Sequence, residues 1–369
     1  MRTVLISGGG IAGPTLAYWL HRHGFAATVV ERGPGPRTGG QAIDIRGVAL
    51  DVVERMGLLE RARAARTRMR GMSVLDPEGR EIERSTEATR SGGRLDSPDI
   101  ELMREDLVRM AYERTRADVE FVFGDSVTAL VEGPDGVRVD FAHAPSRTFD
   151  LVVGADGLHS TVRRLAFGPE EGFLHHLGSY LSVFSADNFL GLEDWQVWMR
   201  DGDVGFGILA VRGNTELRVA FGFESAPLPA DQRTPDGLRR AIVDRLNALR
   251  WEGERLAKAA ASAPDFYCDA MAQIRMERWS RGRVTLLGDA GYCPSPLSGQ
   301  GTSLALVGAY VLADCLATAR VDHAAAYTAY ERRMRPYATA NQALVTDNPG
   351  GPPGEEAMTR AKNALTLDG

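Results

Sequence analysis

Thr3-Val-Leu-Ile-Ser-Gly-Gly-Gly-Ile-Ala-Gly13 is an apolar run that leads directly into a G-x-G-x-x-G pattern. The run predicts a buried strand, and the pattern predicts a tight turn that opens a helix. Gly8 permits the turn, Gly10 leaves room for a pyrophosphate, and Gly13 lets the helix pack against the sheet. A second predicted strand ends at Glu31-Arg32. This order of elements predicts a Rossmann-type dinucleotide-binding unit.

The start of the predicted helix is suited to bind phosphate. Free N–H groups around Ile11 and Ala12, with the positive end of the helix dipole, would face the pyrophosphate. Glu31 would accept hydrogen bonds from ribose hydroxyls, and its charge disfavours a 2′-phosphate. The alternative is an ordinary strand–turn–helix whose glycines serve packing alone. Two further segments, Asp150-Leu-Val-Val-Gly-Ala-Asp156-Gly157 and Gly282-Arg-Val-Thr-Leu-Leu-Gly288-Asp289-Ala290, favour the first interpretation, and the three together indicate FAD.

Composition narrows the class of protein. The chain has 369 residues, of which 44% are apolar and 25% charged, so it is long enough for two domains. A net charge of −6 gives no general attraction for nucleic acid. We see no run of 18 apolar residues and no room for a signal peptide before Thr3, so we expect a cytoplasmic protein without a membrane span. The spacing of the three cysteines and seven histidines predicts neither a disulfide nor a metal site.

The predicted architecture is α/β with an interleaved domain organisation. We expect a Rossmann-type FAD-binding domain and a discontinuous α+β substrate domain on an antiparallel sheet. The predicted boundaries are 1–70, 100–171 and 275–345 for the FAD-binding domain, 71–99 and 172–274 for the substrate domain, and 346–369 for a tail that could hold a short helix.

Different patterns support the two parts. The continuous apolar runs 151–155 and 284–288 predict strands buried on both faces of a parallel sheet. Segments 119–123 and 137–141 alternate like strands, and 133–136 is predicted as the turn between them. Residues 61–70 are expected to form a solvated helix face, and 235–249 a helix. The adjacent His175 and His176 suit a loop, and 348–354 is expected to break the chain.

The predicted antiparallel sheet contains strands at 180–186, 195–200, 205–211 and 216–223. In the last of these, Leu217 and every second residue after it would face the core. Arg218 and Ala220 would face the other side, which we predict to be a substrate cavity. The alternative for Arg218 is a solvent-facing side chain.

The chain resembles the group A flavoprotein monooxygenases, the family of para-hydroxybenzoate hydroxylase, over residues 1–345. Its length and segment 296–301 resemble the branch that includes the tetracycline-inactivating monooxygenases. The positions that match the three motifs of the family are Gly8, Gly10, Gly13, Ala17, Leu20 and Gly24; Asp156, Gly157, Ser160 and Arg163; and Gly288, Asp289, Ala290, Pro296, Gly299 and Gly301.

The resemblance implies non-covalent FAD and assigns a role to each matching residue. Asp289 would accept from ribityl hydroxyls, and Arg104 would face the flavin edge. Asp156 would touch both FAD and the nicotinamide donor. The remaining cofactor residues are Arg32, after the first motif, and the helix start with Gly299, Gly301, Thr302 and Ser303, which would stabilise charge at the flavin N1–C2=O end. Arg163 would brace the second motif; the alternative is a surface ion pair with Asp156.

The chemistry implied by the resemblance is monooxygenation. NADPH or NADH would bind transiently and reduce FAD, and O₂ would form a C4a-hydroperoxide beside the turn at Pro296. One oxygen atom would pass to an electron-rich, aromatic or polycyclic small molecule. The alternatives are another FAD oxidoreductase (a reductase, dehydrogenase or halogenase) and a non-catalytic FAD-binding protein. The sequence specifies neither the substrate nor the oligomeric state.

The chain departs from the family pattern at three places. The usual G-D-A-A-H ends here in Gly291-Tyr292, the usual asparagine of the next helix is Ser303, and the acidic pair that follows is Val307-Gly308. Tyr292 would have to donate the hydrogen bond of the missing histidine, which makes it a candidate catalytic residue. Ser303 would replace the asparagine contact to the flavin only partly.

Overall fold

A computed structural model of the protein describes residues 1–347 and 354–368. Its strands are β1 Thr3–Ser7, β2 Ala26–Glu31, β3 Ala42–Ile45, β4 Gly71–Leu75, β5 Glu81–Ser85, β6 Ala88–Thr89, β7 Gly93–Arg94, β8 Ile100–Met103, β9 Glu120–Phe123, β10 Val127–Gly133, β11 Gly136–Phe141, β12 Arg147–Phe149, β13 Leu151–Gly154, β14 Leu174–Asp187, β15 Trp195–Asp201, β16 Val204–Val211, β17 Glu216–Glu224, β18 Tyr267–Ile274, β19 Ser280–Arg281 and β20 Val284–Leu286.

The helices are α1 Ala12–Arg22, α2 Val48–Arg55, α3 Leu59–Ala64, α4 Arg104–Thr115, α5 Thr161–Phe167, α6 Pro235–Asn247, α7 Gly253–Ser262, α8 Asp289–Tyr292, α9 Gly301–Ala319, α10 His323–Asp347 and α11 Glu355–Lys362. Short 3-10 turns lie at Glu170–Gly172 and Pro296–Ser298. Apart from Gly354, the predicted break at 348–354 lies outside the described residues.

A six-stranded sheet carries the three sequence motifs. Its order is β19-β20-β13-β1-β2-β9, and all neighbours are parallel except β19 and β20. The apolar strands β1, β13 and β20 are almost fully buried, because helices such as α1 and α5 and the strands β11 and β12 pack against this sheet. The carboxyl ends of these strands therefore bring the motif loops to one edge, where α/β proteins bind ligands.

The prediction for the turn at 133–136 needs one correction. This turn joins β10 to β11, which form a separate three-stranded sheet with β12. The predicted strand at 119–123 instead pairs with β2 in the main sheet. Strand β10 has half-exposed and exposed positions along most of its length, so its sequence lacks a clear apolar alternation.

A seven-stranded sheet follows the order β18-β14-β17-β16-β15-β4-β5. Helices α6 and α7 help to form the core on one of its faces, with Leu217, Val219, Phe221 and Phe223 of β17. The opposite face meets the first part of the molecule, since Leu209 and Val211 pack against Met103 of β8.

Two local expectations are wrong. His175 and His176 lie in β14, which begins at Leu174, although the pairing with β18 shifts register after His176. Helix α3 ends at Ala64, so the helix predicted over 61–70 covers only the first part of that range. Helix α9 is, within the described residues, the one helix that is long and apolar enough by length and composition to cross a membrane. Most of α9 is buried in the core, where it packs against α1 and α10.

Candidate functional site

The first motif forms a tight turn with an open front. Gly8 has a φ of +114°, and a Cβ there would collide with the carbonyl of Ala155. A Cβ at Gly13 would collide with the carbonyl of Gly8, so the helix can approach the turn only without a side chain. A Cβ at Gly10 would have no described atom within 4 Å. Gly10 therefore borders free space, as a site for a phosphate requires.

Two helix N-termini lie close together at this edge. Neither Ile11 before α1 nor Gln300 before α9 caps its helix with a side chain, and the first turn of each helix has no acidic residue. Gly288 lies between them, with its Cβ position 3.5 Å from Ala12 and 3.7 Å from Ala305. Two helix starts with uncapped N–H groups are suited to bind a ligand that carries negative charge at two places.

Glu31 holds the glycine turn in place. Its two carboxylate oxygens accept hydrogen bonds from the N–H groups of Gly9, at 2.7 Å, and Gly33, at 2.8 Å. Each oxygen keeps a further acceptor site, so the carboxylate can still bind ribose hydroxyls. The neighbouring Arg32 is exposed and has no hydrogen bond or ion pair to a described residue.

Arg104 supplies a free positive charge between the motifs. It is the first residue of α4, and its guanidinium makes no hydrogen bond or ion pair within residues 1–347 and 354–368. Desolvation and the nearby Arg37 lower its pKa to about 10, although Tyr267, Asp289 and Glu31 act in the opposite direction. Since a half-buried arginine normally has a partner, this one is suited to an anionic or hydroxyl-rich ligand.

Asp289 lies beside the start of α9. Its Oδ1 is 3.7 Å from the Cβ position of Gly301. Burial raises the pKa of this carboxyl, while the Cys293 thiol and the charge of Arg104 lower it. Asp289 is thus a largely desolvated acceptor close to an uncapped helix, as a hydroxyl-bearing chain would need.

Asp156 and Arg163 are both used inside the protein, and the alternative of a surface ion pair between them is wrong. The Asp156 carboxylate accepts hydrogen bonds from Ser160 and from the N–H groups of Thr161 and Val162, so it caps α5. Arg163 is fully buried, and it donates to the carbonyls of Leu158 and Ala290 and to Glu170. Arg163 therefore braces the second motif against the third.

The position of Tyr292 contradicts its predicted catalytic role. The ring is buried, and its hydroxyl lies 2.9 Å from that of Tyr330, which donates to the carbonyl of Leu286. The hydroxyl of Tyr292 therefore donates its hydrogen bond to Tyr330. Burial also raises the pKa of Tyr292 to about 12. A Cβ at Gly308 would collide with the Tyr292 hydroxyl. Tyr292 and Gly308, two of the departures from the family pattern, therefore pack together as a pair.

The turn that begins at Pro296 has an unusual backbone. The buried Ser295 has a φ of +77°, which is rare for a residue with a side chain, and Gly299 has a φ of +64°. Strain of this kind persists where the surrounding structure enforces it and is frequent at functional sites. Pro296 and Leu297 are exposed at this turn. Ser303 in α9 accepts a hydrogen bond from the N–H of Arg46 at 3.1 Å, so its hydroxyl already has a protein partner.

Arg218 lies in a buried ionic network. Only 3% of its surface is exposed, so the alternative of a solvent-facing side chain is wrong. It donates to Asp265 at 2.6 Å and to Glu216 at 2.5 Å, and Glu105 of α4 lies 3.9 Å away. Ala220, two residues further on the same face of β17, is half-buried.

His159 is a residue of the second motif that the sequence analysis missed. Its ring nitrogens lie 2.8 Å from Glu170 and 3.0 Å from Asp269 of β18. These two carboxylates raise the pKa of His159 to about 10. The only sequence signal was its position between Asp156-Gly157 and Ser160. Within the described residues, no group of three or more His, Cys, Asp or Glu side chains is arranged to hold a metal ion.

Comparison with known proteins agrees with this geometry. The family described as FAD binding domain matches residues 1–344.

The chain belongs to the FAD binding domain family.

Three relatives illustrate its position in the family. An uncharacterized protein of Mycobacterium tuberculosis is 49% identical over 369 residues, which is 100% of this chain and 99% of that protein. A flavin-dependent monooxygenase of Legionella longbeachae is 37% identical over 92% of this chain and 86% of its own. The crystal structure of the tetracycline destructase Tet(51) superimposes with a TM-score of 0.90 at 33% identity, over 100% of this chain and 98% of that chain.

These findings confirm the fold class, the cofactor and the class of reaction. The protein is an FAD-dependent monooxygenase with the fold of the para-hydroxybenzoate hydroxylase family, similar to the tetracycline destructases. It acts on a small molecule and uses O₂. The site fits FAD, because it combines the free space at Gly10, the helix starts of α1 and α9 and the unpaired guanidinium of Arg104. No covalent link is needed to hold the cofactor.

Proposed function

We propose that the protein hydroxylates an electron-rich, aromatic or polycyclic small molecule at the expense of NADPH or NADH. We further propose that residues 71–99 and 172–274 form the substrate domain and that 1–70, 100–171 and 275–345 bind FAD. The observation that carries this proposal is the exposed turn at Pro296, which lies between Met271 of β18, a contact of Ser295, and Asp289 of the third motif, which lies beside Gly301.

One row of the seven-stranded sheet supports a flat substrate. Trp198, Gly207, Ala220 and Val183 are successive partners across β15, β16, β17 and β14. The indole of Trp198 lies over Gly207, since a Cβ there would be 2.6 Å from the ring. Small residues beside an aromatic plane leave room for a ring system to stack.

FAD, when bound, would supply the redox chemistry, namely acceptance of hydride from NAD(P)H and activation of O₂. The protein residues would bind and orient. Glu31 and Asp289 would accept hydrogen bonds from sugar hydroxyls, and Gly10 would leave space for the pyrophosphate. The N-terminus of α9 at Gly301 and Thr302 would stabilise negative charge on the reduced ring. Asp156 would act through its backbone, because its carboxylate caps α5.

Arg218 and Ala220 remain the proposed substrate residues on β17. The guanidinium of Arg218 is held by Asp265 and Glu216, so it would present a fixed donor rather than a mobile one. Its Nε has no hydrogen-bond partner among the described residues. A buried donor of this kind is suited to a substrate oxygen.

The test is isotope tracing with polycyclic aromatic compounds. Turnover under ¹⁸O₂ with NADPH or NADH should give a product with one labelled oxygen atom, and H₂¹⁸O under ordinary O₂ should give none. Arg218→Ala should lower kcat/KM or uncouple NAD(P)H oxidation from product formation at unchanged FAD affinity. Arg200→Ala, on the exposed part of β15, is the matched control and should behave like the wild type. A product without label from ¹⁸O₂ would exclude monooxygenation.

A further inference from the structure

A buried ionic cluster lies on the small sheet of β3 and β8. Asp44 and Glu101 are direct partners in this antiparallel pair, which places two carboxyl groups opposite each other. Arg46 follows β3, and its Nη2 lies 2.9 Å from both Asp44 Oδ2 and the carbonyl oxygen of Ser91. Arg46 is 7% exposed and Asp44 8%. Two buried acids opposite each other with only one arginine lower the stability of the fold. We therefore expect this cluster to have a further role.

The cluster has unused hydrogen-bonding capacity. Within the described residues, Arg46 Nε and Asp44 Oδ1 have no hydrogen-bond partner. The guanidinium also has space around it, because its Nη1 is 3.9 Å from the Cβ position of Gly93 and its Nη2 is 3.8 Å from that of Gly299. The guanidinium thus has an unpartnered Nε and two glycines beside its Nη atoms, so it is suited to receive an acceptor from outside the chain.

Hydrogen bonds connect Arg46 both to the start of α9 and, through Ser91, to the seven-stranded sheet. Its backbone N–H donates to Ser303 in the first turn of α9. Its side chain donates to the carbonyl of Ser91, whose hydroxyl accepts from Gln196 of β15 at 2.5 Å. Gln196 in turn accepts from the indole of Trp198, the residue of the proposed substrate row. Arg46 therefore lies between the Gly299 turn and the sheet that would hold the substrate.

We propose that Arg46 is a specificity-determining residue that binds a deprotonated substrate oxygen, that of a phenolate, enolate or carboxylate, next to the Gly299 turn. This inference rests on the proposed function. It differs from the role of Arg218, whose two ends are both held by carboxylates. A phenolate also fits the proposed chemistry, because its deprotonated oxygen makes the aromatic ring more electron-rich.

Asp44 would compete with the substrate for Arg46. Burial raises the pKa of Asp44 to about 7; Arg46 lowers this pKa, whereas Glu101 and Asp99 raise it. Burial also raises the pKa of Glu101, and Lys362 pairs with Asp99 at 2.7 Å. Below pH 7 Asp44 is mostly neutral and the charge of Arg46 is available. Above pH 7 the ionised Asp44 carboxylate neutralises the charge of Arg46. An anionic ligand should therefore bind less tightly at about pH 8 than at about pH 6.

The experiment measures binding of 2-naphthoate to the FAD-loaded protein by calorimetry and by the change in flavin absorbance. The uncharged 2-naphthamide is the ligand control. Arg46→Gln should weaken binding of naphthoate by at least about tenfold, the loss of one hydrogen bond to a charged group, and leave naphthamide within about twofold. Arg46→Lys should recover part of the affinity. Arg55→Gln, an arginine of α2 that pairs with Asp368, should not change it.

Asp44→Asn separates this inference from a purely structural role of the cluster. It removes the competing carboxylate, so naphthoate affinity should become nearly independent of pH between about 6 and 8. Wild-type affinity in Arg46→Gln, no naphthoate binding to the FAD-loaded wild type, or a loss of FAD from Arg46→Gln would each overturn the inference. If both Arg46 variants fail to fold, the pH profile of Asp44→Asn decides. A wild-type protein that retains no FAD would overturn the proposed function instead.

Discussion

Some polar side chains at the site already have hydrogen-bond or ion-pair partners within the protein, whereas others have none and can bind a ligand. The carboxylate of Asp156 caps a helix, the hydroxyl of Ser303 accepts from Arg46, and Arg218 is bound by two acids. The guanidinium of Arg104, by contrast, makes no hydrogen bond or ion pair in the described part of the chain, and Asp289 has mainly a thiol beside it. Because burial of an unpaired charge is costly, these two residues are the strongest candidates for cofactor contacts.

Asp289 should contribute directly to the affinity for FAD. Asp289→Asn should raise the dissociation constant of FAD roughly ten- to a hundredfold, because it removes one charge-assisted hydrogen bond of about 1.5–3 kcal/mol. The melting temperature of the apoprotein should not fall, since burial disfavours the carboxylate and raises its pKa. Fluorescence titration of apoprotein with FAD measures the affinity, and Asp51→Asn on the exposed side of α2 is the control. Unchanged affinity would show that Asp289 does not contact FAD.

At the scale of elements, the departures from the family pattern explain one another. Tyr292 at the end of α8 places its hydroxyl where a side chain at position 308 of α9 would stand, and Tyr330 of α10 accepts its proton. Trp279 packs against the Tyr292 ring with centroids 4.5 Å apart. The tyrosine and the glycine are thus one unit that joins three helices, and a proton relay from Tyr292 is not needed to explain either residue.

This unit gives a double-mutant prediction. Gly308→Ala should destabilise the FAD-loaded protein by about 1–3 kcal/mol, because the new methyl group has no space beside the Tyr292 hydroxyl. Tyr292→Phe alone should cost about 1 kcal/mol, the value of one buried hydrogen bond. Thermal unfolding of the two single variants and the double variant provides the cycle. We expect the cost of Gly308→Ala to be smaller in the Tyr292→Phe background; strictly additive costs would contradict the packing argument.

Which elements could be predicted from the sequence follows from the range of the interactions. The strands β1, β13 and β20 were predictable because they are continuous apolar runs, and their motif loops follow at once. The pairing of β10 with β11 could not be predicted, since β10 has no clear apolar face. The network of Arg218 was also hidden, because its partner Asp265 is 47 residues away and alternation alone cannot distinguish a cavity from a salt bridge.

Two chains of charged side chains tie the seven-stranded sheet to the rest of the molecule, one through helix α4 and one through the loop of the second motif. One link runs from Arg218 in β17 through Glu105 to Arg212, which also pairs with Asp106 of α4 at 2.8 Å. The other runs from the buried Arg163 through Glu170 and His159 to Asp269 of β18, which accepts from Tyr267. The second link begins at the third motif, because Arg163 also donates to Ala290. Both links therefore join the seven-stranded sheet to elements that carry candidate cofactor residues, namely Arg104 in α4 and Asp156 in the second motif.

The link through His159 should make the stability of the protein depend on pH. His159 has a pKa of about 10 in the folded protein against 6.5 for an ordinary histidine, so its contribution is fully present below pH 6.5 and is lost as the pH rises through 10. The same link lowers the pKa values of Glu170 and Asp269, so it stays intact well below neutral pH. His159→Gln should therefore lower the melting temperature most near pH 6, and the gap to the wild type should close near pH 10. His159 is 53% exposed, so we expect a gap of a few degrees at most. His23→Gln at the exposed end of α1 should show no such trend, and a gap independent of pH would refute the charged link.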